Sequence, residues 1–223
     1  MMGYLIIGGI AALISAFVRN RMMSTMKKLS QIRLSAGLKG HEVAEKMLQD
    51  HNIYDVQITS TRGTLTDHYN PANRSVNLSD WVYEPPSIAA AAVAAHECGH
   101  AVQHATSYPM LKFRSAIVPL LKFGSPIAPY LIMAGLLLGL TQLAWVGVIL
   151  FGASTLFAFI TLPVEFDASK RALAWLESTG VTRGEELELA KKGLHWAAMT
   201  YVVAALTSLA YLLYFISLVQ GRE

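Results

Sequence analysis

Charge and cysteine are both scarce in this 223-residue sequence, and each scarcity excludes something. Cys98 is the single cysteine, so no disulfide can close within the chain, and nothing else in the sequence asks for an oxidising compartment. Asp, Glu, Lys and Arg make up 15% of the residues against 53% hydrophobic ones, with a mean hydropathy of +0.40. That is more apolar surface than one soluble core of this size can bury, so a lipid bilayer is the expected medium. A formal net charge of +3 is weak evidence for a nucleic-acid partner, and none is expected. No Lys or Arg precedes the first apolar run, which argues against a cleaved signal peptide.

That first run, Met2 to Val18, is just long enough to cross a hydrocarbon core and is followed at once by Arg19, Arg21, Lys27 and Lys28, as suits an uncleaved anchor. Between Phe123 and Val164 lie 42 residues without one Asp, Glu, Lys or Arg, room for two spans divided near Thr141-Gln142. Another 29 uncharged residues run from Gly193 to Gly221. The chain therefore reads as one membrane domain over 1–223 with about four transmembrane helices, at 2–18, 124–140, 143–162 and 196–219. Twelve of the 18 Lys and Arg fall between Arg19 and Lys122 and five between Lys170 and Lys192, leaving only Arg222. Four crossings put the regions 19–122 and 163–195 on one side, which the positive-inside rule makes the cytoplasm, with both termini outside.

Within 19–122 the periodicity is that of a folded region in water. Val43, Ala44, Met47 and Leu48 share one face of a short helix between Gly40 and His51. Val56 to Thr59, Thr64 to Tyr69 and Ser75 to Leu78 alternate as strands, and the turns between them predict a small antiparallel sheet. Pro85-Pro86-Ser87 then starts a helix, with Ser87 as its cap, that runs to about Ala105.

That helix carries His96-Glu97-Cys98-Gly99-His100, an H-E-x-x-H pattern. Residues four apart stand one above the other on a helix, so the two imidazoles can meet one cation. Glu97 projects beside that cation and can take the proton of a metal-bound water, which is the chemistry of hydrolysis. The bland alternative is a helix with two satisfied histidines.

A catalytic zinc usually has three protein ligands, so a third must come from elsewhere. His104 lies on the same face but too far along the axis from His96 to share its ion, and Gln103 stands where an H-E-x-x-H-x-x-G-x-x-H pattern needs glycine. His68 sits on an expected strand and is a weaker candidate. Glu165 is the better one, because the two-span hairpin before it returns the chain to the side of the histidines, and a carboxylate there is expensive unless paired. A helix-start carboxylate is its competing role. Asp167 can orient a ligand histidine, and His195 and Tyr201 are further residues within reach. Thr182-x-x-Glu185 reads as the capping box of a short helix ending near Lys192-Gly193.

Three segments, Leu65 to Tyr69, Ala94 to Ala105 and Leu162 to Ser169, together resemble the small bacterial membrane zinc metallopeptidases of the YugP-like family, over almost the whole chain. The resemblance implies Zn2+ as cofactor, His96 and His100 as ligands and Glu97 as base. A more distant likeness is to the HtpX and CAAX prenyl protease class, whose E-x-x-x-D motif implies Glu165 as third ligand but has Ser169 here in place of the aspartate. It further implies a zincin-like, gluzincin-like α+β catalytic region in which the Thr64 to Tyr69 strand pairs with extended substrate. The expected protein is thus a mainly α, multi-pass enzyme of the cell (inner) membrane. It hydrolyses protein or peptide substrates at the cytoplasmic face, and a regulatory partner or oligomer is left open. Two alternatives stand beside it: a site-2-type intramembrane metalloprotease and a non-catalytic metal-binding membrane adaptor.

Overall fold

The structure, a computed structural model, describes residues 2–221, apart from the side chains at 119, 120, 122 and 123; Arg222 therefore lies outside the described residues. In chain order the elements are α1 (Met2–Ser30), α2 (Gly40–Asp50), β1 (Gln57–Thr61), β2 (His68–Asn70), β3 (Ser75–Ser79), α3 (Asp80–Tyr83), α4 (Ile88–Ala105), α5 (Pro109–Leu138), α6 (Thr141–Ser178) and α7 (Glu185–Gln220). Their contacts separate into two compact units.

One unit comprises Met1–Phe17, Lys112–Pro163 and Met199–Glu223, and so holds the apolar lengths of α1, α5, α6 and α7. Its outer surface is apolar: Leu13, Tyr130, Leu137 and Ile149 are all exposed. A surface of that kind belongs in lipid rather than water. Within it α5 and α6 approach closely through glycine and alanine, since a Cβ on Gly147 would stand 2.7 Å from the backbone nitrogen of Ile132. Gly139, at φ +69°, ends α5, close to the division expected near Thr141. Three helices, α1, α6 and α7, are long and apolar enough to cross a membrane, while the stretch Gly124–Leu138 of α5 is apolar but shorter.

The other unit comprises Val18–Leu111 and Val164–Ala198. Its core is built on α4, whose residues Ile88 to Ala95 are all buried, because an alanine-rich helix lets neighbours pack against every face. Val43, Ala44, Met47 and Leu48 of α2 supply one wall, as their spacing predicts. Val76 and Leu78 of β3 supply a second and Ala172 and Leu176 of α6 a third.

Here the sheet departs from expectation: it is mixed, in the order β1-β3-β2, with β1 parallel and β2 antiparallel to β3. The expected strand from Thr64 to Tyr69 shrinks to His68–Asn70. The reason is local, since Gly63 (φ +114°) and Leu65 (φ +59°) take positive φ, which an extended strand cannot accommodate. β1 and β3 are thereby left as direct neighbours. A second departure is α7, one continuous helix rather than a short helix followed by a span. Gly193 does not break it, because it serves packing: a Cβ there would stand 2.9 Å from Leu29 of α1. The expected Thr182 capping box is absent too, the buried Thr182 hydroxyl having no hydrogen-bond partner among the described residues.

Candidate metal centre

The site is assembled on α4. Ser87 caps its start, the side-chain oxygen accepting from the Ala90 amide at 3.1 Å. Two turns further on the apolar run gives way to His96, Glu97 and His100. Facing them is α6, which passes so close to Gly99 that a Cβ there would stand 2.6 Å from the carbonyl oxygen of Ala168. Only glycine permits that approach, and it carries Glu165, three residues before Ala168, to the histidines.

Oε2 of Glu165 lies 3.3 Å from Nε2 of His96 and 3.5 Å from Nε2 of His100. One ligand atom from each of the three side chains falls within 4.8 Å of the others. Donors bound to a tetrahedral zinc at about 2.1 Å stand about 3.4 Å apart, which the two separations from Glu165 match. Two imidazole nitrogens and a carboxylate oxygen are also a donor set zinc favours. Glu165 is interior to α6 rather than at a helix start, which removes the helix-dipole role from consideration. Burial alone would depress the His100 pKa, but the Glu165 carboxylate facing it, with lesser help from Glu97 and Gln103, raises it. Electrostatically the site attracts positive charge.

The far side of each imidazole is also held. Gln103 is fully buried, and its amide nitrogen donates to the Val164 carbonyl at 2.7 Å and to Oδ2 of Asp167 at 2.9 Å. Both partners only accept, so the amide oxygen must be the atom that meets Nδ1 of His100 at 3.0 Å. Nδ1 therefore carries a proton, and Nε2, which faces Glu165, is the nitrogen whose lone pair a metal would take. Asp167, in turn, accepts from Arg171 at 2.6 Å. Its expected orienting role on a histidine runs through Gln103 and not by direct contact. Ser169, at the position where the E-x-x-x-D class has aspartate, places its hydroxyl 3.1 Å from Nδ1 of His96. A hydroxyl can accept from that ring nitrogen as an aspartate would.

Glu97 is not one of the three clustered residues. Its Oε2 accepts from the backbone amide of Tyr69 in β2 at 3.0 Å, and the Tyr69 hydroxyl shares a 2.7 Å hydrogen bond with Nδ1 of His104. Cys98 occupies the buried side of α4 with Sγ 3.5 Å from the Ala44 carbonyl, where burial pushes its thiol pKa up.

Of the residues singled out by sequence, His96, His100 and Glu165 come together and Glu97 stands beside them. His68 does not join them: it is exposed, with Nδ1 2.8 Å from the Thr66 carbonyl. His195 lies edge-on to Trp196 at 5.8 Å, and Tyr201 belongs to the unit of apolar helices. Gln103, Ser169 and Tyr69 were not anticipated in these positions. Helical spacing holds a signal for two of them, since Gln103 follows His100 by three residues and Ser169 follows Glu165 by four.

Residues 4–220 match the model of a protein family described as "Putative neutral zinc metallopeptidase". The chain is 45% identical over 216 residues, 96% of each chain, to a protein of Bacillus subtilis (strain 168) named "Putative membrane protease YugP". No solved structure matches.

Proposed function

This chain belongs to the neutral zinc metallopeptidase family, and on that premise we propose that it is a zinc-dependent membrane endopeptidase that cleaves peptide bonds at the cytoplasmic face. The observation that carries the proposal is the convergence of His96, His100 and Glu165 on one point, with the carboxylate of Glu97 adjacent in sequence and outside the donor set. A structural metal site has no use for that fourth group. His96, His100 and Glu165 would hold the zinc, whose contribution is to polarise the scissile carbonyl and to make water acidic enough to ionise near neutral pH. Glu97 takes the proton from the attacking water and returns it to the leaving amine. Gln103 and Ser169 keep the two imidazoles turned to the site.

The cytoplasmic placement rests on the charge distribution along the sequence, with Gly124–Leu138 of α5 taken as the second of four spans. α4 is not among the helices apolar enough to cross a membrane, which favours a site at water level over an intramembrane one. Metal analysis of the purified protein tests the ligand set. One zinc per chain is expected in the parent protein and in Glu97→Gln, and a clear loss in Glu165→Ala. Full occupancy after replacement of Glu165 would remove it as a ligand.

A further inference from the structure

The Tyr69 contacts suggest a role that neither the metal cluster nor the sequence motifs account for. β2 is three residues long and, among the described residues, pairs only with β3. Antiparallel pairing alternates, so when the amide of Tyr69 is directed at Glu97, the ladder to β3 falls on His68 and Asn70. β2 follows a turn with positive φ at Gly63 and Leu65, and Asp67, just before it, is tied to Ser79 by that residue's amide at 2.7 Å and by its hydroxyl. Toward α4, Tyr69 makes two hydrogen bonds. Its amide reaches Glu97 and its hydroxyl reaches His104, seven residues further along the same helix and thus on nearly the same face.

We propose that Tyr69 is a positioning residue for the base of the reaction proposed above, and that the Tyr69–His104 hydrogen bond is what keeps its amide seated on Glu97. The inference rests on the endopeptidase reading for its kinetic consequence, though not for its structural one. A glutamate carboxylate can rotate about three side-chain bonds to reach other partners, whereas an amide donor fixed by a strand holds one oxygen and leaves the other to work. His104, too far along α4 for a metal bound at His96, here gains a function at the other end of the tyrosine.

The experiment compares Tyr69→Phe, His104→Ala and His104→Gln in the full-length, zinc-loaded protein. Tyr69→Phe keeps the ring and the amide and removes only the hydroxyl; glutamine at 104 can restore the hydrogen bond that alanine cannot. Tyr69→Phe and His104→Ala are expected to lower kcat about 10- to 100-fold, the scale of a small misplacement of a reacting group, with KM and zinc content unchanged and partial recovery in His104→Gln. Amide hydrogen exchange at Tyr69 is followed in the same variants: slow in the parent, at least tenfold faster in Glu97→Ala, and faster in Tyr69→Phe and His104→Ala. A parent protein without peptidase activity would sink the endopeptidase reading, and the exchange data would still decide on the clasp. Parent-like exchange in His104→Ala, kcat within twofold of the parent, or a loss explained by missing zinc would overturn the proposal.

Discussion

Gly99 of α4 lies against the backbone of Ala168 in α6, with no room between them for a side chain: a Cβ on residue 99 would stand 2.6 Å from the Ala168 carbonyl oxygen. The middle of the H-E-x-x-H pattern is therefore the contact that seats Glu165 beside the two histidines.

Gly99→Ala must push α6 away and Glu165 with it. Overpacking of this kind costs about 1–3 kcal/mol, so the variant should melt earlier and, when folded, bind zinc more weakly than the parent. A thermal melt and a metal titration check this. Parent-like zinc affinity would mean that the helix contact does not set the position of Glu165.

Gln103 bridges His100, Val164 and Asp167 with its amide nitrogen and its amide oxygen both engaged in one orientation. Gln103→Glu removes the donor and sets a carboxylate against the Val164 carbonyl and Asp167. Loss of outer partners of ligand histidines typically costs about 10- to 100-fold in metal affinity, and that range is expected here. Competition with a chromogenic zinc chelator measures it.

The raised pKa of His100 gives a pH dependence with a definite sign. In metal-free protein His100 should titrate above the ordinary imidazole value of 6.5, because burial, which lowers it, is outweighed by Glu165 together with Glu97 and Gln103. Glu165→Gln removes that carboxylate, leaving burial to drive the pKa down. Because the folded-state value lies above the unfolded one, the proton stabilises the metal-free fold at acid pH, and this contribution fades as pH rises through the raised value. For the loaded protein, zinc is lost as pH falls, since proton and metal compete for one lone pair. Imidazole NMR titration of both metal-free proteins checks the order of the two pKa values.

Cys98 lies inside the H-E-x-x-H pattern yet faces the core against α2, with its thiol pKa raised by burial. A water-soluble thiol reagent at neutral pH should leave it unmodified in the native protein and label it completely on unfolding. Rapid labelling of the folded protein would place Cys98 on an open surface.

The elements legible in the sequence were those set by local pattern. The apolar face of α2, the Ser87 cap and the extent of α4 follow from residue spacing and capping chemistry alone. His96 and His100 followed from helical periodicity, and Glu165 from the hairpin that precedes it. The arrangement of the sheet was not legible, because β2 is displaced to the edge by backbone angles at Gly63 and Leu65 that alternating side chains do not reveal. Nor was the continuity of α7, where Gly193 looks like a stop until Leu29 is seen beside it. The supporting hydrogen bonds of Gln103 and Tyr69 join segments distant in sequence, and only the packing of α4 against α6 and β2 brings them to light.

The central claim is that Glu97 does chemistry beside a zinc held by His96, His100 and Glu165. A mixed peptide library, incubated with zinc-loaded parent protein and with Glu97→Gln at equal measured zinc content and read by mass spectrometry for new termini, tests it directly. Cleavage by the parent and a loss of at least about 100-fold in the variant is the predicted result. Equal cleavage by both proteins, or none by a fully zinc-loaded parent, would contradict it.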